Sequence, residues 1–247
     1  DLVGAGGALV EGRSLVDVSG ITFSAALGVI WEATDKLRIG ASYQSQPGFG
    51  ETEQEGELHF KFGNTPSDVS QIKFLQELPD ITRIGATFNP NNKLELRFAA
   101  DYTRWSVFKN QCLVDAENPN ANCALDENGG ATPDTEGVVV NILRNWNDTY
   151  GVRGGVSYWL DPKKELVAGL SYDSAAVPDE TIDPSLMDMD KFVATLGGRF
   201  ALAANILLNV SYTHVLYLER EVAVRERDAM GVQDAPPAPS TVPDHGG

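Results

Sequence analysis

The sequence contains no run of about 18 apolar residues, the length that a transmembrane helix needs. Cysteine and histidine are scarce, with two and three residues in a chain of 247, and the histidines lie far apart. No nucleophile motif, phosphate-binding glycine loop or metal-ligand spacing is present. These absences argue against membrane-spanning helices, give no support to an enzyme, and indicate no metal or other protein-bound cofactor.

Positive charge is also scarce. The chain has 19 basic residues against 35 acidic ones, a net charge of -16. It should therefore repel nucleic acid, and we expect no nucleic-acid partner. Its mean hydropathy of -0.20 suggests a soluble protein. That average carries little weight, because a strand of a membrane barrel needs apolar residues only at every second position.

Alternation of apolar and polar residues is what the sequence does contain. In residues 93–103, Leu94, Leu96, Phe98, Ala100 and Tyr102 alternate with polar, charged or small residues. The alternation lasts ten residues, whereas the average globular strand has about five or six. Its length fits a tilted strand that crosses a membrane.

Similar runs recur between short turns and long, irregular connections. The turns are at 32–36, 89–93, 160–164 and 201–205; the long connections are at 46–69, 107–136 and 175–189. The pattern predicts eight strands, at about 19–33, 36–48, 76–89, 93–107, 147–160, 164–174, 190–202 and 205–219. The fold class is therefore all-β, a transmembrane antiparallel up-and-down β-barrel with short turns in the periplasm and long loops outside.

Aromatic residues form two rows on the apolar faces of these strands. Four lie within about four residues before a short turn, and four lie about seven to nine residues after one, roughly 20 Å higher. They are Trp31, Phe88, Tyr158 and Phe200 in the lower row, and Tyr43, Tyr102, Tyr172 and Tyr212 in the upper row. We interpret the rows as the aromatic girdles of a membrane barrel, with the apolar face towards lipid. A soluble β-sandwich is the weaker alternative.

Several motifs, in order, give the chain a family resemblance. Residues 34–45 read TDKLRIGASYQS, residues 101–108 read DYTRWSVF, and residues 145–149 read NWNDT; a Leu-Pro pair at 78–79 and GLSYD at 169–173 also match. Together they resemble the FadL family of outer-membrane transporters for long-chain fatty acids and hydrocarbons. The resemblance implies a bacterial outer-membrane barrel of 14 strands, of which about eight are present here.

The resemblance also bears on domain organisation. The hatch, the first strands and the closing strand of the family have no counterpart in this sequence, so we expect residues 1–247 to be a fragment of a single barrel domain. Residues 220–247 are expected to be a loop or a disordered Pro-rich tail.

The implied function is passive uptake of a hydrophobic small molecule. Basic residues on the inward face could pair with the carboxylate of such a ligand. The candidates are Arg38, Arg83, Arg97, Arg153 and Arg199. In the alternative interpretation Arg97 pairs with Asp101 or Glu95, and the other arginines form a structural ladder.

Apolar residues within a polar extracellular segment could form the groove that captures the ligand. They are Leu58, Phe60, Phe62, Ile72, Phe74 and Leu75. Alternatively, they extend two strands above the membrane, because Glu57, His59 and Lys61 alternate with them.

Cys112 and Cys123 are expected to form a disulfide that closes a polar surface loop, since an outer-membrane protein lies in an oxidising compartment. Two free thiols are the alternative. Acidic loop residues could bind Ca²⁺ at the outer surface or be merely solvated. They are Asp126, Glu127, Asp179, Glu180, Asp183, Asp188 and Asp190.

A second function remains open: an outer-membrane barrel that serves as a scaffold or surface-interaction protein. It is suggested by the loop around the two cysteines and by the Pro-rich residues 235–243. The expected partners are the lipid bilayer with its lipopolysaccharide, a hydrophobic small molecule, and proteins that contact the extracellular loops.

Overall fold

The structure, a computed structural model, describes residues 2–3, 9–10, 12–63, 66–118, 121, 123, 125, 136–182 and 187–220. These residues form strands and three short 3-10 turns. The strands are β1 (Leu2–Val3), β2 (Leu9–Val10), β3 (Gly12–Ser19), β4 (Ala26–Thr34), β5 (Leu37–Gln44), β6 (Glu51–Phe62), β7 (Asp68–Glu77), β8 (Ile81–Asn91), β9 (Leu94–Thr103), β10 (Asn110–Asp115), β11 (Val138–Leu143), β12 (Thr149–Asp161), β13 (Lys164–Asp173), β14 (Lys191–Ala203) and β15 (Ile206–Tyr217). The 3-10 turns are Pro47–Phe49, Trp105–Val107 and Asp179–Thr181. Within the described ranges, no helix has the length and apolar character needed to cross a membrane.

Eight strands form one antiparallel sheet in the order β4-β5-β8-β9-β12-β13-β14-β15, which we call the membrane sheet. Every pair of neighbouring strands is antiparallel, and the order of the strands in the sheet follows their order along the chain. This confirms the predicted all-β, up-and-down arrangement, and each of the eight predicted strands has its counterpart. In the described part of the chain, the edge strands β4 and β15 are not paired with each other.

The first predicted strand is shorter than expected. It begins at Ala26, not near residue 19, and residues 12–19 instead form the separate strand β3. Ser45 and Gly48 donate their backbone N–H groups to the carbonyls of Ala25 and Phe23, at 2.8 and 2.9 Å. Residues 23–25 therefore stay beside the segment that follows β5, outside the regular ladder of β4 and β5.

Five further strands form a second antiparallel sheet, the outer sheet, in the order β3-β6-β7-β10-β11. Each of these strands directly precedes or follows one strand of the membrane sheet along the chain. Their order in the outer sheet matches the order of those partner strands, β4, β5, β8, β9 and β12, in the membrane sheet. The prediction of irregular connections at 46–69 and 107–136 was therefore wrong in part. Residues 51–60 pair residue for residue with 68–77, so the wall continues beyond the membrane sheet.

The two faces of the membrane sheet differ in the way expected for a barrel in lipid. Leu27 is 79% exposed, Leu170 70% and Leu196 64%, all on the apolar face. On the opposite face, Ser157 is 2% and Glu165 7% exposed. A water-soluble sheet would bury the leucines instead, so the apolar face is the one that contacts lipid.

The strand register gives the positions of the eight predicted girdle residues, Trp31, Phe88, Tyr158, Phe200, Tyr43, Tyr102, Tyr172 and Tyr212. On β9, Leu96 pairs with Phe88 of β8, and Leu94 pairs with Tyr158 of β12. Tyr158 therefore lies two residues nearer the short-turn end of the sheet than Phe88. Phe200 is displaced in the same direction, since it pairs with Lys164 and not with Leu166. A level ring of aromatics on tilted strands requires this stagger. The girdle itself stays a prediction.

Candidate ligand-binding lumen

A hollow of about 990 Å³ lies on the inward face of the membrane sheet, against β4, β5, β8, β9 and β12. Small residues leave this space open, among them Gly40, Gly85, Ala99 and Gly155. Its volume is at the upper end of the range typical of small-molecule sites. The sequence pattern predicted the inward face but not the hollow, which depends on small residues meeting across neighbouring strands.

Four of the five predicted arginines line this hollow: Arg38, Arg83, Arg97 and Arg153. Arg199 does not. Its Nε atom lies 3.0 Å from the carboxylate of the largely buried Glu165, which faces it on β13. Arg199 is therefore paired within the wall and is the weakest of the five candidates for a ligand contact.

Arg153 joins two carboxylates across three strands. Its guanidinium donates to Asp101 on β9 and, at 2.6 Å, to Asp173 on β13. Gly151 lies beneath this bridge; a Cβ built there would come within 2.8 Å of the Asp173 side chain and 2.9 Å of the Asp101 side chain. The absence of a side chain at Gly151 leaves the space for the ion pairs.

Arg97 donates to Glu95, two residues away on the same inward face. Of the two pairings considered for Arg97, the structure has the one with Glu95, because Asp101 is bound by Arg153. Both of these arginines already have an internal counter-charge. A ligand carboxylate would have to displace a carboxylate of the protein to bind them.

Arg38 and Arg83 differ from the other three. The side chain of neither one forms a hydrogen bond or ion pair with a residue that the structure describes, although Glu32 and Asp101 lie opposite them on the neighbouring strands. Arg83 lies opposite Ser42 on the neighbouring strand, and Arg38 is four residues further down that strand, roughly 13 Å lower. Two cations without an ion pair in the described part of the chain thus face the hollow at two heights, where an anionic ligand would compensate their charge.

The predicted capture-groove residues do not line one surface. Leu58, Phe60, Ile72 and Phe74 share one face of the outer sheet, but Leu75 points to the opposite face because side chains alternate along β7. Ile72 is fully buried, so it cannot line an open groove. The side chain of Phe62 lies outside the described part. Ile72 and Leu75 therefore do not share an open surface with Leu58, Phe60 and Phe74, and a capture groove on this segment stays a prediction.

A repeated contact joins the upper tyrosines to the connections above them. The hydroxyls of Tyr102 and Tyr172 donate to Asp148 and Asp190, the latter at 2.7 Å, and Tyr43 hydrogen-bonds Asp80. Each aspartate immediately precedes a strand that descends into the membrane sheet. We call these three contacts the Tyr–Asp clamps. The sequence showed the tyrosines and the aspartates but not their pairing.

The clamp carboxylates at Asp80 and Asp148 have lowered pKa values. Burial by itself would raise both, but hydrogen bonds outweigh it. Asp80 accepts from the Nε atom of Arg104 at 2.6 Å and from Tyr43, and Asp148 accepts from Tyr102 and, at 2.8 Å, from the backbone N–H of Ser106. Both carboxylates are therefore charged at neutral pH.

The two tryptophan-containing motifs meet in an aromatic cluster. Trp105 and Phe108, from the first motif, contact Trp146, from the second, with ring centroids 4.8 and 4.9 Å from that of Trp146. Phe108 is buried. The cluster packs where β9 and β12 leave the membrane sheet, so the motifs maintain the wall and do not contact the hollow.

Three of the carboxylates considered for Ca²⁺ already have partners within the protein: Asp188 and Asp190 bind backbone N–H groups, and Asp179 binds the guanidinium of Arg220. Asp188 accepts from the N–H groups of Ala176 and Val177, and Asp190 from that of Ala175. The described residues contain no group of three or more Asp, Glu, His or Cys side chains that could hold a metal ion. Asp126, Glu127, Asp183 and the predicted tail after Arg220 lie outside them. Calcium binding there stays a prediction.

Cys112 and Cys123 form a disulfide bond in the structure, with Cα atoms 6.0 Å apart. Cys112 is almost completely buried on β10 of the outer sheet, opposite Leu75. The bond therefore attaches the acidic loop to the face of the outer sheet that carries Leu75.

The sequence matches the family described as "Outer membrane protein transport protein (OMPP1/FadL/TodX)" over residues 11–239. The chain belongs to this family. The predicted location in the bacterial outer membrane is thereby confirmed, as is the predicted FadL relationship.

Curated relatives in this family include outer membrane protein P1 of Haemophilus influenzae, 24% identical over 208 residues, with 82% of this chain and 39% of the relative covered. The long-chain fatty acid transport protein of Escherichia coli K12 is 20% identical over 198 residues, with 76% of this chain and 40% of the relative covered. The chain thus spans less than half the length of these relatives.

Two solved structures support the fold. A FadL homologue from Pseudomonas aeruginosa superposes with a TM-score of 0.64 at 18% identity, covering 83% of this chain and 47% of the homologue. The CymD monoaromatic hydrocarbon channel superposes with a TM-score of 0.54 at 15% identity, covering 84% and 52%. The membrane sheet is accordingly part of a FadL-type barrel wall.

Proposed function

We propose that the full-length protein is a passive outer-membrane transporter for long-chain fatty acids or other hydrophobic small molecules. Family membership supports the class of activity. The observation that carries the proposal is the hollow in the lumen wall, which Arg38 and Arg83 line without forming an ion pair with any described residue, although Glu32 and Asp101 are their cross-strand neighbours. Such a site favours an apolar molecule with an anionic head.

This arrangement suits an amphipathic ligand, which has an apolar chain and an anionic head. A long-chain acid must leave water and then cross a charged lipopolysaccharide layer. A lumen that accommodates the apolar chain and compensates the carboxylate lowers the free energy of that passage. The relatives' names cover both acids and neutral aromatics, and the two unpaired arginines favour acids for this chain.

Ligand binding to the full-length protein tests the proposal. The affinity for palmitate is measured by titration calorimetry for the wild type, Arg38→Gln, Arg83→Gln and the control Arg199→Gln. We expect each of the first two substitutions to weaken palmitate binding about tenfold, because each removes one charge-assisted hydrogen bond. Arg199→Gln should leave the affinity unchanged, since Arg199 lies outside the hollow.

A neutral ligand of equal length separates head-group from chain recognition. The affinity for 1-hexadecanol should be nearly the same in all four proteins. If neither ligand bound saturably to the folded wild type, the transport proposal would be contradicted. Equal losses for acid and alcohol would mean that the arginines shape the lumen without binding the carboxylate.

A further inference from the structure

A glycine or alanine lies three positions before a predicted girdle aromatic in seven of the eight strands of the membrane sheet. Gly28 precedes Trp31 in this way, and Gly155 precedes Tyr158. Because three is an odd number, the small residue faces inward where the aromatic faces lipid. The inward-facing small residues, which we call the inner belt, are Gly28, Gly40, Gly85, Ala99, Gly155, Gly169 and Gly197.

The strand register places the inner belt at one height around the wall. Gly40 pairs with Gly85, and Gly85 pairs with Ala99. Between Ala99 and Gly155 the belt moves two residues towards the short turns, because Ala99 pairs with Arg153. The predicted lower girdle is displaced in the same direction. The belt is therefore level on tilted strands.

Arginines border the inner belt on both sides, each two residues from a belt residue of its own strand. Arg83 and Arg153 lie on the long-loop side, and Arg38, Arg97 and Arg199 lie on the short-turn side. Arg97, Arg153 and Arg199 form ion pairs with carboxylates of the wall. The anionic head of a ligand therefore finds arginines without an ion pair, among the described residues, on β5 and β8.

The backbone does not require glycine at four positions of the belt. A Cβ built on Gly28, Gly40, Gly155 or Gly169 would have its nearest neighbour at 3.5 to 3.7 Å, an ordinary contact. None of the four has a positive φ. Glycine inside a strand weakens the strand, and it often marks a position where a ligand or another backbone comes close. These glycines therefore keep space free on the lumen side at a cost in stability.

The inner belt extends the hollow of the lumen wall across further strands. Five belt residues line the hollow, on β4, β5, β8, β9 and β12. The fifth of them, Gly155, pairs with Gly169, so the surface without side chains continues onto β13 and then to Gly197 on β14. Neighbouring strands are about 4.8 Å apart, so the belt runs roughly 24 Å from β5 to β14. This length is comparable with that of an extended 16-carbon acid.

We propose that the inner belt binds the apolar chain of the ligand, which lies across the strands with its carboxylate at Arg38 or Arg83 and its terminal carbons at β13 and β14. The inference rests on the proposed transport function and specifies its substrate as an unbranched acid of about 16 carbons. The belt glycines determine this specificity, because a side chain at their positions would occupy the space of the ligand chain. Val167 contributes apolar surface at the far end, beside Gly197.

Chain length tests this orientation in the full-length protein. We expect Gly169→Val to weaken palmitate binding at least about tenfold, measured by calorimetry, because the valine side chain occupies the far part of the belt. Octanoate binding, measured by competition, should not change, since an eight-carbon acid held at Arg38 or Arg83 ends before β13. Gly154→Val is the matched control. A Cβ at Gly154 also has free space, but it points to lipid, and binding of both acids should stay the same.

A cross-linking experiment on the wild type needs no substitution and decides the question if Gly169→Val does not fold. Hexadecanoic acid with a diazirine on its terminal carbon is bound and irradiated, and the adducts are located by mass spectrometry. We expect them within Lys164–Asp173 and Lys191–Ala203.

The outcomes separate the belt from the transport function. Palmitate binding that depends on Arg38 and Arg83 but is unchanged in Gly169→Val would overturn the belt as the chain site and leave the transport proposal intact. Adducts confined to other strands would do the same. Equal weakening of both acids by Gly169→Val would show that valine distorts the lumen, which also overturns the inference. Absence of palmitate binding by the wild type would overturn both proposals.

Discussion

Gly151 lies where three charged side chains meet on the lumen wall. A methyl group in its place would come within 2.8 to 3.1 Å of atoms of Asp173, Asp101 and Arg153. We predict that Gly151→Ala forces these groups apart and lowers the free energy of unfolding by about 1–3 kcal/mol. Urea unfolding of the full-length protein in lipid vesicles, followed by tryptophan fluorescence, measures the change.

Gly154 is the matched control for that substitution. It lies on the same strand, and no atom lies within 4 Å of a Cβ built there. Gly154→Ala should leave stability unchanged or raise it slightly, because alanine restricts the unfolded chain. Equal destabilisation by the two substitutions would show that loss of glycine flexibility, and not the crowded ion pairs, causes the effect.

The connections between the membrane sheet and the outer sheet depend on the Tyr–Asp clamps. Asp148 accepts two hydrogen bonds that join the end of β9 to the start of β12. We predict that Asp148→Asn lowers the free energy of unfolding by about 1–3 kcal/mol, because an amide group cannot accept at both positions. Asp35→Asn, in an exposed short turn, should change stability by less than about 0.5 kcal/mol.

The clamps also make stability depend on pH. Since folding lowers the pKa of Asp80 and Asp148, their contribution is fully present above the ordinary aspartate pKa and is lost as pH falls through the lowered values. The urea midpoint should therefore fall as pH drops below about 4, and fall less in Asp148→Asn. An identical acid profile for wild type and variant would contradict this role of Asp148.

The disulfide restrains the loop that follows β10. We predict that Cys112→Ser together with Cys123→Ser exposes the peptide bond after Glu117 to Glu-specific protease, because the loop ends are no longer joined. The rate of cleavage is measured by mass spectrometry on intact, membrane-inserted protein. Leu113 and Val114 remain buried in the outer sheet, so the membrane sheet should stay folded. Unchanged cleavage after loss of the bond would contradict the prediction.

At the scale of the whole molecule, lipid takes the place of a hydrophobic core on one side of the wall. Leu196 is exposed near the middle of β14, and its neighbour Thr195 faces inward. We predict that Leu196→Arg destabilises the full-length barrel in vesicles by about 2–4 kcal/mol, whereas Thr195→Arg has a much smaller effect. Equal effects of the two substitutions on the unfolding midpoint would contradict the assignment of faces.

The sequence by itself determined the eight strands of the membrane sheet, the alternation of their faces and the family. Alternation has a period of two, so Leu94 and Arg97 had to point to opposite sides of any strand that contains them. The motifs around Trp105 and Trp146 supplied the resemblance that the family match confirmed. These properties are local, because each is written in residues a few positions apart.

Only the tertiary structure decided how distant residues combine. The pattern could not show that Asp101 binds Arg153 and leaves Arg97 to Glu95, or that Leu75 and Phe74 face opposite ways in an outer sheet. It also could not show that Arg38 and Arg83 form no side-chain ion pair with the residues that the structure describes. Each of these facts depends on the register between strands that are far apart in the chain. A shift of one residue in that register would exchange the faces and change every such contact.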